Sequence, residues 1–122
     1  MKIAITAESK SSSDVKVDRR FGRSSYFMIY DDDEEKGEFI KNSAGDTRHG
    51  AGVQAVQTLA DRDVDALITG RVGPKAFDGL QKAEIEIYLT EDSTVKEALS
   101  DFADGKLEQP EEPTNSRHPG RR

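Results

Sequence analysis

Thr69-Gly70-Arg71-Val72-Gly73-Pro74-Lys75 follows an apolar run, Val64 to Ile68, and precedes a helix-like one, Ala76 to Ala83. The stretch is therefore a strand-to-helix turn near the middle of a 122-residue chain. Its two glycines permit tight turning, and Pro74 carries the fixed φ that suits a first helical position. Backbone N–H groups at such a helix start, with Arg71 and Lys75 beside them, can hold an anion. Read alone, the stretch does no more than reverse the chain. Its surroundings decide between the two roles.

Upstream, Ile3 to Ala7 is short, apolar and β-branched, and reads as a first strand. Glu8 to Asp18 is a polar loop, expected to be mobile. Ser25 to Tyr30 is aromatic-rich and reads as a second strand, and Glu38 to Asn42 as a third, joined to it by an acidic turn. The run Asp31-Asp32-Asp33-Glu34-Glu35 lacks the alternating ligands and closing glutamate of a calcium loop, and reads as a solvated turn. After a polar loop, Ser43 to Arg48, a helix over Val53 to Asp61 is expected to turn Val53, Val56, Leu59 and Ala60 inward. Downstream of the turn, Ala76, Phe77, Leu80 and Ala83 are the inward candidates of a second helix. Ile85, Ile87 and Leu89 alternate with Glu86 and Tyr88 in a fifth strand. Asp92, Ser93, or Thr94 with Glu97 in a capping box, can start a third helix, whose stripe is Val95, Ala98, Leu99 and Phe102 and which Gly105 stops.

The order β-β-β-α-β-α-β-α implies an α/β domain: a mixed five-stranded sheet with flanking helices, strands 1, 4 and 5 parallel and strand 2 antiparallel. Hydrophobic and charged residues each make up 34% of the chain, so part of the polarity belongs outside the core. Residues 108–122, with three of the four prolines, supply it and read as a disordered tail after a domain over residues 1–107. A net charge of −6 argues against nucleic acid or a membrane surface as partner. Without cysteine the chain has no disulfide, thiolate nucleophile or cysteine metal ligand. With no leader-like or membrane-spanning apolar stretch, a cytoplasmic protein is expected.

Ligands of open α/β sheets bind beyond the carboxyl ends of the strands. Three segments are expected there: the arginine loop Arg19-Arg20-Phe21-Gly22-Arg23, the helix entry His49-Gly50-Ala51-Gly52, and the opening turn. They bring Arg20, Arg23, Arg71, Lys75 and His49 to one rim. His49, mostly neutral near pH 7, is the candidate metal ligand, with Gly50 and Gly52 letting backbone approach a bulky group.

Asp18-Arg19-Arg20-Phe21-Gly22-Arg23-Ser24 with Tyr26-Phe27 and Asp31, His49-Gly50-Ala51-Gly52 with Gln54-Ala55, and Ile68 to Phe77 occur in that order. Together with Ile85 to Tyr88, Val95 to Leu99 and Gly105 to Leu107, they resemble the dinitrogenase iron–molybdenum cofactor biosynthesis family, the NifX-like and NifB C-terminal-like proteins. The resemblance covers roughly residues 1–107. It implies a ribonuclease H-like fold and a non-catalytic role as binding or carrier protein for an anionic iron–molybdenum cofactor or iron–sulfur cluster precursor. It further implies cofactor-assembly or acceptor proteins as partners. The cofactor-binding residues it implies are His49, Gly50, Gly52, Arg20, Phe21, Gly22, Arg23, Gly70, Arg71 and Gly73, with His49 bonding the metal. Where some members carry His, this chain has Arg20, and with no cysteine any cluster must arrive preassembled.

Two other functions fit parts of the pattern. A nuclease on the same fold needs clustered carboxylates on the central strands, but strand 1 has none and strand 4 only Asp65. A regulatory module for a small anion or nucleotide would use the turn at Gly70, which lacks the spacing and Lys-Ser/Thr ending of a P-loop.

Overall fold

The computed structural model describes residues 1–11, 14–46 and 50–113. Its elements are β1 (Lys2–Ala7), β2 (Tyr26–Asp31), β3 (Lys36–Lys41), a 3-10 turn (Ser43–Asp46), α1 (Ala51–Asp61), β4 (Ala66–Thr69), α2 (Pro74–Lys82), β5 (Glu86–Leu89) and α3 (Val95–Ala103). The sheet runs β3-β2-β1-β4-β5. β1, β4 and β5 are parallel neighbours, and β2 is antiparallel to both β1 and β3. The mixed five-stranded sheet and three helices expected from the sequence are those observed.

Alternation along the strands splits the core in two. Ala4, Phe27, Ile29, Leu67 and Ile87 face α1 and α2, joining Ala55, Leu59, Ala76 and Leu80. Ile3, Ile5, Ala7, Met28, Ala66 and Ile68 face the other way, onto Val95 and Ala98 of α3. β1 and β4 are covered on both faces, which is why they read as unbroken apolar runs. Among the described residues, no helix is long and apolar enough to cross a membrane.

Three expectations need correction. Val53 is 52% exposed rather than inward. Gly50, at φ 72°, starts α1 at Ala51, so the buried stripe is Ala51, Ala55, Val56 and Leu59. Val53 then lies about 200° around the helix from Ala51, on the solvent side. The loop after β1 is not polar throughout: Val15 and Val17 are buried in the α3-side core. Val17 donates its N–H to Ser93 O at 2.8 Å, and Val95 donates to Val15 O at 2.9 Å. The polar loop after β3 holds a 3-10 turn, begun where Asn42 Oδ1 accepts the Ala44 N–H at 3.2 Å.

The helix ends follow their local chemistry. Pro74 occupies the first turn of α2 behind the N-cap Gly73. Thr94 caps α3 in a complete capping box with Glu97, which decides among the three capping candidates. Gly105, at φ 72°, donates to Phe102 O and closes α3. Glu108, the first residue of the expected tail, accepts the Leu89 N–H at 2.9 Å through its carbonyl oxygen.

Candidate functional site

The carboxyl ends of β1 and β4 are held level by their side chains. The Thr6 hydroxyl donates to Asp18 O at 2.6 Å and shares a 2.9 Å hydrogen bond with the Thr69 hydroxyl, all buried. The Asp18 N–H returns to Thr6 O at 2.9 Å. These contacts lay the arginine loop along the continuation of β4. Arg20 pairs with Arg71 as a parallel bridge, and the Phe21 N–H donates to Arg71 O at 3.3 Å.

The approach depends on glycine. A Cβ at Gly70 would lie 2.8 Å from Arg19 Cα, and one at Gly22 would lie 2.9 Å from the Gly52 nitrogen. A Cβ at Gly52 would in turn stand 3.1 Å from Ala76 Cβ in the first turn of α2. The first turns of α1 and α2 therefore adjoin, with the arginine loop pressed against α1. Both N-caps are glycine, neither helix has a side-chain cap, and neither has an acidic residue in its first turn. Each helix start carries the equivalent of about half a positive charge. α3, by contrast, uses its N-terminus internally through Thr94 and Glu97.

A cleft of about 320 Å³ opens between the arginine loop and Arg71, lined by Glu8, Asp18, Arg19, Arg20, Ser25 and Arg71, with no residue of either helix's first turn in its wall. Arg20 is held from one side: its N–H and Nε donate to Asp18 Oδ1 at 3.0 and 3.5 Å, and Nη2 reaches Arg23 O at 3.4 Å. Among the described residues, the side chains of Arg19, Arg71 and Lys75 make no ion pair. The cleft thus offers guanidinium donors beside two carboxylates, Asp18 and Glu8, a set that suits an anion bringing its own metal ligands.

The structure brings Arg20, Gly22, Gly52, Gly70 and Arg71 together through the contacts above. Phe21 lies in the same loop, but its ring is buried against Phe27, with centroids 5.9 Å apart, and anchors the loop to the core. Arg23 is exposed on that loop. Gly50 and Gly73 precede the two helices, and a Cβ on either would meet nothing within 4 Å. His49 lies outside the described residues.

Sequence reasoning misses the supports. Asn42, buried at the end of β3, donates through Nδ2 to Gly22 O at 3.2 Å and Ser24 O at 2.9 Å. Its only sequence signal is an Asn before Ser, at the point where a strand gives way to a turn. Asp18 stands in the sequence as one member of a motif, with nothing to mark its role in holding Arg20.

Comparison with known proteins places the fold and the family. The structure superimposes on the apo form of the orange protein from Desulfovibrio gigas with a TM-score of 0.89 at 39% identity, covering 93% of this chain and 96% of that one. A candidate NifB protein from Thermotoga gives 0.83 at 35% identity, covering 95% and 98%. A candidate dinitrogenase protein from Methanocaldococcus jannaschii gives 0.70 at 26%, covering 93% and 97%. An uncharacterized protein of M. jannaschii is 30% identical over 111 residues, 88% of this chain and 90% of the relative. The model of the dinitrogenase iron–molybdenum cofactor family matches residues 1–105, and the chain belongs to that family.

Proposed function

We propose that this protein is a non-catalytic carrier that binds a preassembled, anionic iron–molybdenum or iron–sulfur cofactor, or its precursor, at the arginine cleft. The observation that carries the reading is the junction itself. Two glycine-capped helix starts adjoin, with no acidic residue in either first turn, and the loop packed on α1 carries a cleft lined by Arg19, Arg20 and Arg71 with Asp18 and Glu8. Adjoining helix starts and guanidinium groups repel one another, and a bound anion relieves that repulsion. On a chain of net charge −6 such a cluster is not a consequence of overall composition.

The donor chemistry suits cargo of this kind. With no cysteine, the chain offers a cluster no thiolate, so the cluster keeps its own sulfides while arginines and N–H groups hold them. His49, three residues before Gly52, is the metal-bonding candidate. Handing a cluster on needs assembly or acceptor proteins as partners, in the cytoplasm, with residues 1–107 as the binding domain and 108–122 as a tail. The sheet order with β2 alone reversed supports the ribonuclease H-like description. A nuclease reading finds no support in Asp65: its carboxylate accepts the Lys2 N–H at 2.8 Å at the opposite end of the sheet.

The test is anaerobic mixing of the protein with isolated iron–molybdenum cofactor, followed by size exclusion. A brown species should co-elute, and Arg71→Ala should weaken it about tenfold or more, the loss of a charge-assisted hydrogen bond. His49→Ala should weaken it too; equal retention would remove His49 from the site. Failure of wild type to retain cofactor, or full retention by an Arg20→Ala/Arg71→Ala double variant, sinks the reading. A thermal shift with nucleotides but none with cofactor would favour a nucleotide-binding regulatory module instead.

A further inference from the structure

The geometry points to Asp18 as a selectivity element that admits anions carrying a hydrogen-bond donor and rejects anions that carry none. The inference rests on the reading that the arginine cleft holds an anion. Asp18 cannot swing away from that cleft: its N–H and C=O are both tied to Thr6, and only 9% of its side chain is exposed. Both contacts from Arg20 fall on Oδ1. Among the described residues, Oδ2 has no partner. A carboxylate with so little of its side chain exposed is costly to leave short of a donor, and nearly all such groups in folded proteins are paired.

The ligand is the group placed to satisfy it. Arg19, Arg20 and Arg71 line the same cleft and attract any anion. Asp18 adds a condition: the ligand must turn an O–H, S–H or N–H toward it. A fully deprotonated oxyanion would instead set oxygen against oxygen, with no proton between them. Glu8, the other carboxylate of the cleft, is exposed and well screened, so it adds the same preference weakly. For a cluster, this means the edge facing Asp18 carries a hydroxyl, a hydrosulfide or a bound water.

Hydrogen phosphate and sulfate isolate the effect, because they are dianions of like size that differ by one proton. Their affinities for the full chain are measured by calorimetry at a pH where phosphate is the hydrogen dianion, at matched ionic strength. Wild type should prefer hydrogen phosphate by about tenfold or more, the consequence of one unsatisfied charged pair. In Asp18→Asn the amide can both donate and accept, so sulfate binding should rise and the preference fall toward one. Circular dichroism and melting establish that the variant is folded; if it is not, the wild-type ratio alone decides. A wild-type ratio near one, an unchanged ratio in folded Asp18→Asn, or no binding of either dianion overturns the inference. Cofactor retention alongside a ratio near one would leave the carrier reading intact and remove only the selectivity.

Discussion

Gly70→Ala tests whether the site is held by close backbone approach. The added Cβ would stand 2.8 Å from Arg19 Cα, 2.9 Å from Arg19 O and 3.1 Å from Arg19 Cβ, where ordinary contact begins at 3.4 Å. The overlap is against main chain, so no rotamer change relieves it. Neither side yields easily: Thr69 O accepts from Thr90, Arg71 O accepts from Phe21, and Asp18 is tied to Thr6. Overpacking of this kind costs about 1–3 kcal/mol. In a domain of this size that lowers Tm by about 5–15 °C. Gly79→Ala, inside α2, is the matched comparison, because the nearest atoms to its Cβ would be side-chain atoms of Val56 at ordinary contact distance, 3.4 Å. There the gain in helix propensity should stabilise the fold by about 0.5–1 kcal/mol. Urea or thermal unfolding of the two variants should therefore show opposite signs. Anion affinity, measured well below Tm, should fall for Gly70→Ala alone, because the loop carrying Arg19 and Arg20 must move away. If Gly70→Ala melts with wild type and binds anions as well, the loop and turn are not in contact as described.

Two further outcomes follow from the geometry. Thr94→Ala removes the capping box of α3 and should cost about 1 kcal/mol in urea unfolding without altering anion binding, since α3 packs on the far face of the sheet. The Met1 amine, hydrogen-bonded to Asp32 at 2.7 Å and to Asp33 at 3.3 Å, has its pKa raised from 8.0 to about 10, chiefly by Asp32. A raised folded-state pKa means that this contribution is complete below pH 8 and is lost as pH rises through about 10. The denaturation midpoint of wild type should fall across that window by more than that of Asp32→Asn, and parallel pH profiles would refute the contact.

Where local chemistry fixes an element, sequence is enough. Pro74 after glycine, the Thr94–Glu97 pair and Gly105 each act within a few residues, and the strand alternation of Ile85, Ile87 and Leu89 needs no partner to be recognised. Val53 is misplaced by sequence because a period-3.6 stripe fixes only relative positions. Its phase against the sheet is set by the left-handed Gly50 and by Gly52 packing on Ala76, contacts with no local signal. Val15 and Val17 are hidden for a related reason: two valines among polar residues form no periodic run, and only their packing against α3 makes them core.

The site shows the same division more sharply. Its charged groups stand out in the sequence because arginines beside glycines are unusual on an acidic chain, and that pattern needs no coordinates. What sequence cannot show is which glycines are there for closeness and which for conformation. Gly50 has a left-handed φ and open space, whereas Gly22, Gly52 and Gly70 have backbone or a neighbouring methyl within about 3 Å of a Cβ position and no positive φ. The first kind turns one chain; the second joins two that are distant in sequence. Gly22 meets Gly52 and Gly70 meets Arg19, so three separate segments come together only because these three positions lack a Cβ. Asp18 follows from that joining: a carboxylate in a surface loop is unremarkable by sequence, and becomes a candidate selectivity group only once its main chain is tied to Thr6 and its side chain is buried in the cleft that Arg19, Arg20 and Arg71 also line.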